Sequence, residues 1–157
     1  MTSEHTEPAR GRIVVGVDGS EPSKAALRWA ARIARVLGGD IEAVIAWEFP
    51  TNFGWAAAGT PDDWRPDIDA RQVVDEALSN VFGTQRPPGL ITSVREGYAS
   101  AVLLEASKGA GMLIVGSRGH GGFTGLLLGS VSATCAERAR CPVLVVHDGP
   151  ASDSATA

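Results

Sequence analysis

Apolar, β-branched runs recur along the chain at Arg12–Val17, Ile41–Trp47, Leu90–Arg95, Met112–Val115 and Val143–His147. Each reads as a buried strand, because its apolar residues follow one another without the alternation of a half-exposed strand. Between these runs the apolar positions recur at helical spacing. Ser20 is placed to cap a helix with Glu21 and Pro22 in its first turn. That helix runs to about Leu37, with Ala25, Ala26, Trp29, Ile33 and Leu37 on its apolar face, and Gly38-Gly39 ends it. A second helix, capped by Asp67, carries Ile68, Val74, Leu78 and Val81 at the same spacing and stops at Gly83. Shorter helices are predicted over Ala99–Lys108 and Ser130–Ala139, the last broken by Cys141-Pro142.

Buried strands alternating with amphipathic helices imply an α/β fold: one open five-stranded parallel sheet with helices on both faces. Its crossovers should be right-handed. The domain is expected to span residues 11–147, with a disordered lead at 1–10 and a disordered tail at 148–157. A long irregular stretch, Glu48–Pro66, holds Phe53, Trp55 and Trp64. Those aromatics could form a lid, present a partner patch or simply pack down on the domain.

Composition narrows the function classes. The 157 residues are 44% hydrophobic and 20% charged, an ordinary globular balance. A net charge of −4 argues against a general nucleic-acid binder. No apolar run approaches the roughly 18 residues of a membrane span. The opening residues contain Glu4 and Glu7 and lack an apolar core of the secretory type, so the expected location is cytoplasmic. Cys135 and Cys141 have no metal-ligand spacing and read as buried free thiols.

The chemistry concentrates between Gly116 and Ser130, which hold six glycines in fifteen residues. An apolar strand precedes this stretch and a helix follows it. Glycine lets a backbone curl so that its N–H groups converge, and a helix N-terminus adds unpaired N–H groups and a positive dipole end. The stretch therefore reads as a phosphate cradle, with Arg118 and His120 as cations and the hydroxyls of Ser117, Ser130 and Ser132 as further donors. A lysine-bearing P-loop is excluded, since no lysine follows Lys108. The first strand–helix turn, Gly16-Val17-Asp18-Gly19, lacks a dinucleotide fingerprint. A nucleophile elbow is absent, and His5, His120 and His147 are too scattered to suggest a metal cluster. Asp18 has three readings: a partner for a ribose or base, a neighbour of phosphate-bound Mg²⁺, or the maker of an Asx turn.

Gly116-x2-Gly119-x9-Gly129-Ser130 resembles the ATP-binding motif of the universal stress protein family. Ile13–Ser20 resembles that family's opening strand and turn, and Val143–Val146 its final strand. The resemblance implies a sheet of order 3-2-1-4-5. It implies phosphates on the loop containing Gly116, Ser117, Arg118, Gly119, His120, Gly121, Gly122 and Gly129, and at the helix start of Ser130, Val131 and Ser132. It places the nucleoside by Gly16, Asp18 and the main chain near Val44. It also implies a homodimer through Val143–Val146, which would cover an apolar sheet edge. Gly111 departs from the acidic residue often found there in the family, outside the nucleotide motif.

The function expected is an ATP-binding sensor or regulator in a stress response, with ATP and its Mg²⁺ as ligand. A slow ATPase or autophosphorylating enzyme is a second reading. Nothing selects an acceptor among Ser117, Thr124 and Ser130, and no catalytic residue is assigned. A partner-docking protein with structural or regulatory AMP or cyclic AMP is a third.

Overall fold

The computed structural model describes residues 11–49, 63–119 and 128–148. Five strands, β1 (Ile13–Gly16), β2 (Ile41–Trp47), β3 (Ile91–Glu96), β4 (Met112–Gly116) and β5 (Val143–Val146), form one parallel sheet of order β3-β2-β1-β4-β5. The described helices are α1 (Glu21–Leu37), α2 (Pro66–Phe82), α3 (Ala99–Ala106) and α4 (Ser130–Arg138). Successive strand side chains point to opposite faces, so neighbours enter different cores. Val15, Ile114 and Ile45 meet Ala26, Leu27 and Ala30 of α1 and Val74 and Leu78 of α2. Val14, Val44, Leu113 and Val115 meet Leu103 of α3 and Cys135 of α4 on the other side. The sheet is thus covered on both faces, as its continuous apolar strands require.

Ser20 caps α1 as the sequence predicts: its hydroxyl accepts the Ser23 N–H at 3.3 Å. The buried face of α1 differs from expectation. Ser23, Ala26, Leu27 and Ala30 face the sheet, whereas Trp29 is 46% exposed and Leu37 70%. Small residues let the helix axis approach the sheet closely, and that rotates the larger Trp29 outward. In α2, Asp67 lies inside the first turn and does not cap it. The helix starts at Pro66, and Asp67 is ion-paired to Arg65 at 2.9 Å instead. Ile68 is likewise exposed. Other element ends shift by one or two residues. Phe53 and Trp55 lie outside the described residues. Trp64 packs down: it meets Phe49 edge-on at 6.1 Å, Phe49 meets Trp47 at 5.3 Å, and the Trp64 indole N–H donates to Asp69 at 3.0 Å.

A charge cluster that periodicity could not reveal sits near the start of β2. Glu42 is buried and accepts from Arg12 at 2.6 Å, Arg95 at 2.9 Å and the Ser93 hydroxyl at 2.7 Å. Arg12 also donates to the carbonyls of Ala106 and Lys108 at 2.9 and 2.8 Å, tying the C-terminal end of α3 to β1 and β2. Burial pushes the Glu42 carboxyl up, but the Ser93 hydroxyl and the Arg12 and Arg95 charges outweigh it and hold the group below its usual 4.5. Glu42→Gln should therefore cost roughly 1–3 kcal/mol at neutral pH, because both guanidiniums lose their buried counter-charge. The Glu42 contribution is complete above the ordinary carboxylate pKa and is lost as pH falls through the lower folded-state value. Urea denaturation at stepped pH should show the two chains converging in acid. A stability gap that persisted down to about pH 2 would contradict this account.

Candidate functional site

A crevice of about 580 Å³ opens at the C-terminal ends of β1, β2 and β4. β1 continues to β2 on one side and has β4 on the other, so this is the point where strand order reverses. Loops on either side of such a point diverge and leave room for a ligand.

The β1–α1 turn forms one lip. The Val17 N–H donates to the Val44 carbonyl at 2.8 Å, which continues the sheet by one residue. Asp18 Oδ1 accepts the Ser20 N–H at 2.9 Å and also the Ser20 hydroxyl, an Asx turn. The Ser23 hydroxyl donates to the Ser20 carbonyl at 2.9 Å and closes the first turn of α1. The other oxygen of Asp18 faces Gly119, where a Cβ would collide with it.

The glycine loop forms the opposite lip. A Cβ on Gly116 would come within 2.7 Å of Pro22 and 2.9 Å of the Ser23 nitrogen. Glycine is needed here for close approach of the start of α1 to β4. The expected use of positive φ is not what Gly116, Gly119 and Gly129 provide, since none of them adopts it. At Gly116 neighbouring backbone and at Gly119 the Asp18 carboxylate occupy the space, whereas a Cβ at Gly129 would make only ordinary contacts. The loop ends are joined: the Gly129 N–H donates to the Ser117 carbonyl at 2.6 Å, and the Ser132 hydroxyl donates to the carbonyls of Ser117 and Gly129 at 3.0 and 3.1 Å. Ser132 therefore braces the loop and does not aim its hydroxyl at the crevice as a donor. No side chain caps α4, whose N-terminal Ser130 is exposed at the crevice.

The structure brings together most of the residues singled out from sequence. Gly16, Asp18, Val44, Gly116, Arg118, Gly119, Gly129, Ser130, Val131 and Ser132 all line the crevice. Ser117 is buried beneath it. His120, Gly121 and Gly122 lie outside the described residues. Sequence reasoning missed the apolar wall of Ala46, Ala99, Leu103 and Val115. Ala46 was within reach, since alternation along β2 puts it on the same face as Val44. Among the described residues there is no group of three or more His, Cys, Asp or Glu able to hold a metal ion.

Behind this wall lies Cys135, fully buried against β4 and its neighbours. Burial, with a smaller push from the Cys141 thiol, raises its pKa to about 11. Cys141 is only partly buried. A thiol reagent at neutral pH should label Cys141 in the native chain and reach Cys135 only on unfolding. Mass analysis of labelled peptides checks this, and equal labelling rates would contradict it.

Fold and crevice define a doubly wound α/β domain with an open crevice between a glycine loop and an Asx turn. The universal stress protein family model matches residues 9–147, and the chain belongs to that family. The chain is 35% identical over 153 residues to universal stress protein Rv2624c of Mycobacterium tuberculosis, which covers 94% of this chain and 53% of that relative. It thus spans about half the length of the curated relatives it matches. Among solved structures, the universal stress protein UspA from Lactobacillus plantarum superposes with a TM-score of 0.69 at 20% identity, covering 87% of this chain and 97% of that one. A universal stress protein solved in complex with cAMP superposes with a TM-score of 0.63 at 28% identity, covering 88% and 98%. No described helix is long and apolar enough to cross a membrane.

Proposed function

We propose that the crevice binds an adenine nucleotide, with ATP as the principal ligand, and that the chain acts in the cytoplasm as a nucleotide-dependent regulator of a stress response. The observation that carries this is the polarity of the crevice. Its lining joins Arg118, Gly129 and the uncapped N-terminus of α4 at Ser130 to an apolar set, Val44, Ala46, Leu103 and Val115. Phosphate fits the first and a flat apolar base fits the second. The relative solved with cAMP supports a nucleotide in this class of crevice.

In this reading Gly116, Ser117, Arg118, Gly119, His120, Gly121, Gly122, Gly129, Ser130 and Val131 make up the phosphate side, and Ser132 braces it. Gly16, Asp18 and Val44 lie by the nucleoside. Asp18 is the carboxylate that a Mg²⁺ ion on ATP would approach, the cation separating it from the phosphates. β5 is an apolar edge strand with a single neighbour, β4, and its pairing with a second copy would cover it. The cAMP-bound relative gives specific weight to a second reading, in which a nucleotide with a single phosphate occupies the same crevice.

Native mass spectrometry of the purified chain should show a co-purifying nucleotide and identify it. Titration calorimetry with ATP, AMP and cAMP then ranks the ligands. Gly119→Val should weaken ATP binding by at least about tenfold, because the new side chain displaces Asp18 and distorts both lips. Undiminished affinity in a folded Gly119→Val chain would remove the proposal. Stoichiometric ATP with no phosphate released above background is the expected result, and steady turnover would favour the enzymatic reading.

A further inference from the structure

The outer surface of the α1–α2 layer is divided by charge. Arg28, Arg32 and Arg35 are exposed on α1 at a spacing that groups them on one side of the helix. Among the described residues none of the three is ion-paired. From Leu27 to Leu37 there is no acidic residue, in a chain whose net charge is −4. The outward side of α2 is more acidic. Asp75 and Glu76 lie there along a shallow groove that also passes Ile68, Gln72 and one cation, Arg71. Each helix leaves a large apolar side chain in solvent, Trp29 at 46% and Ile68 at 54% exposure. The Arg32 guanidinium lies 5.4 Å from the Trp29 ring centre, and Trp with Arg is the composition enriched at interface hot spots.

We infer that this helical face is a docking surface for a second copy of the chain. α1 and α2 run side by side, because each returns over the same face of a parallel sheet and both enter one core. Two kinds of two-fold axis can bring two such faces together. An axis at right angles to the helices sets α1 on α1 and places arginine against arginine. An axis parallel to the helices sets α1 of each copy on α2 of the other, and brings the α1 arginines to the helix that carries Asp75 and Glu76. Rotation about that second axis leaves depth along it unchanged, so each charge meets what lies at its own level on the neighbouring helix. Each copy offers both halves, so the contact closes on a pair and does not run to a filament. Three arginines beside exposed Trp29 and Ile68 suit a protein surface better than a nucleic acid, whose binding rests on many phosphate contacts. This contact is separate from pairing through β5 and does not depend on the nucleotide.

Sedimentation equilibrium of the full chain at about 50 mM and about 500 mM salt tests it, since surface charge pairing is screened within roughly a Debye length. At low salt the wild-type mass should exceed its high-salt value by up to about twofold. R28E/R32E and D75R/E76R should each lack that increment, because positions 28, 32, 75 and 76 then all carry one sign. An equimolar mixture of the two should regain it, because the reversed faces complement each other on both helices. Any pairing through β5 is common to all chains and cancels from the comparison. Wild-type mass in both variants at low salt, or a mixture no heavier than its components, would overturn the inference.

Discussion

Position 116 cannot carry a side chain while the first turn of α1 stays where it is, and position 119 can carry one only if the Asp18 carboxylate swings aside. At Gly116 the first turn of α1 presses on β4, and at Gly119 the Asp18 carboxylate stands against the loop backbone. These two close approaches decide the width of the crevice. They depend in turn on the Asx turn that fixes Asp18 and on the Ser20 cap that starts α1. The glycines are spatial permissions granted to neighbours.

That distinction explains what the sequence could and could not disclose. Strand identity was legible because five runs of Val, Ile and Leu leave little alternative to a sheet buried on both faces. The place of the crevice was legible because glycine, serine and arginine gathered after one strand. The purpose of each glycine was not, since close approach and positive φ leave the same letter in the sequence. The buried face of α1 was misjudged for a related reason. Hydrophobicity ranks Trp29 above Ala26 and Ala30, but the helix lies close to the sheet, and closeness selects for small size. The Glu42 cluster escaped notice because its partners come from elsewhere in the chain, Arg12 from the flank of β1 and Ser93 and Arg95 from β3.

The two ends of the sheet are held by different physics. At the starts of the strands, a buried carboxylate shared by two guanidiniums binds β1, β2, β3 and the end of α3. At the strand ends, the Asp18 Asx turn, close backbone approaches and main-chain hydrogen bonds shape the crevice. The first end can be strongly bonded because nothing has to enter there. The second leaves the N-terminus of α4 without a side-chain cap.

The hydrogen bond from the Gly129 N–H to the Ser117 carbonyl ties the start of α4 to the residue just beyond β4. The Ser132 hydroxyl reaches the same carbonyl from inside the helix, so one oxygen gathers two residues of the α4 start. Ser130 thereby keeps its address at the mouth of the crevice through the end of β4, and a change that turned the Ser117 carbonyl away would release the helix start as a whole.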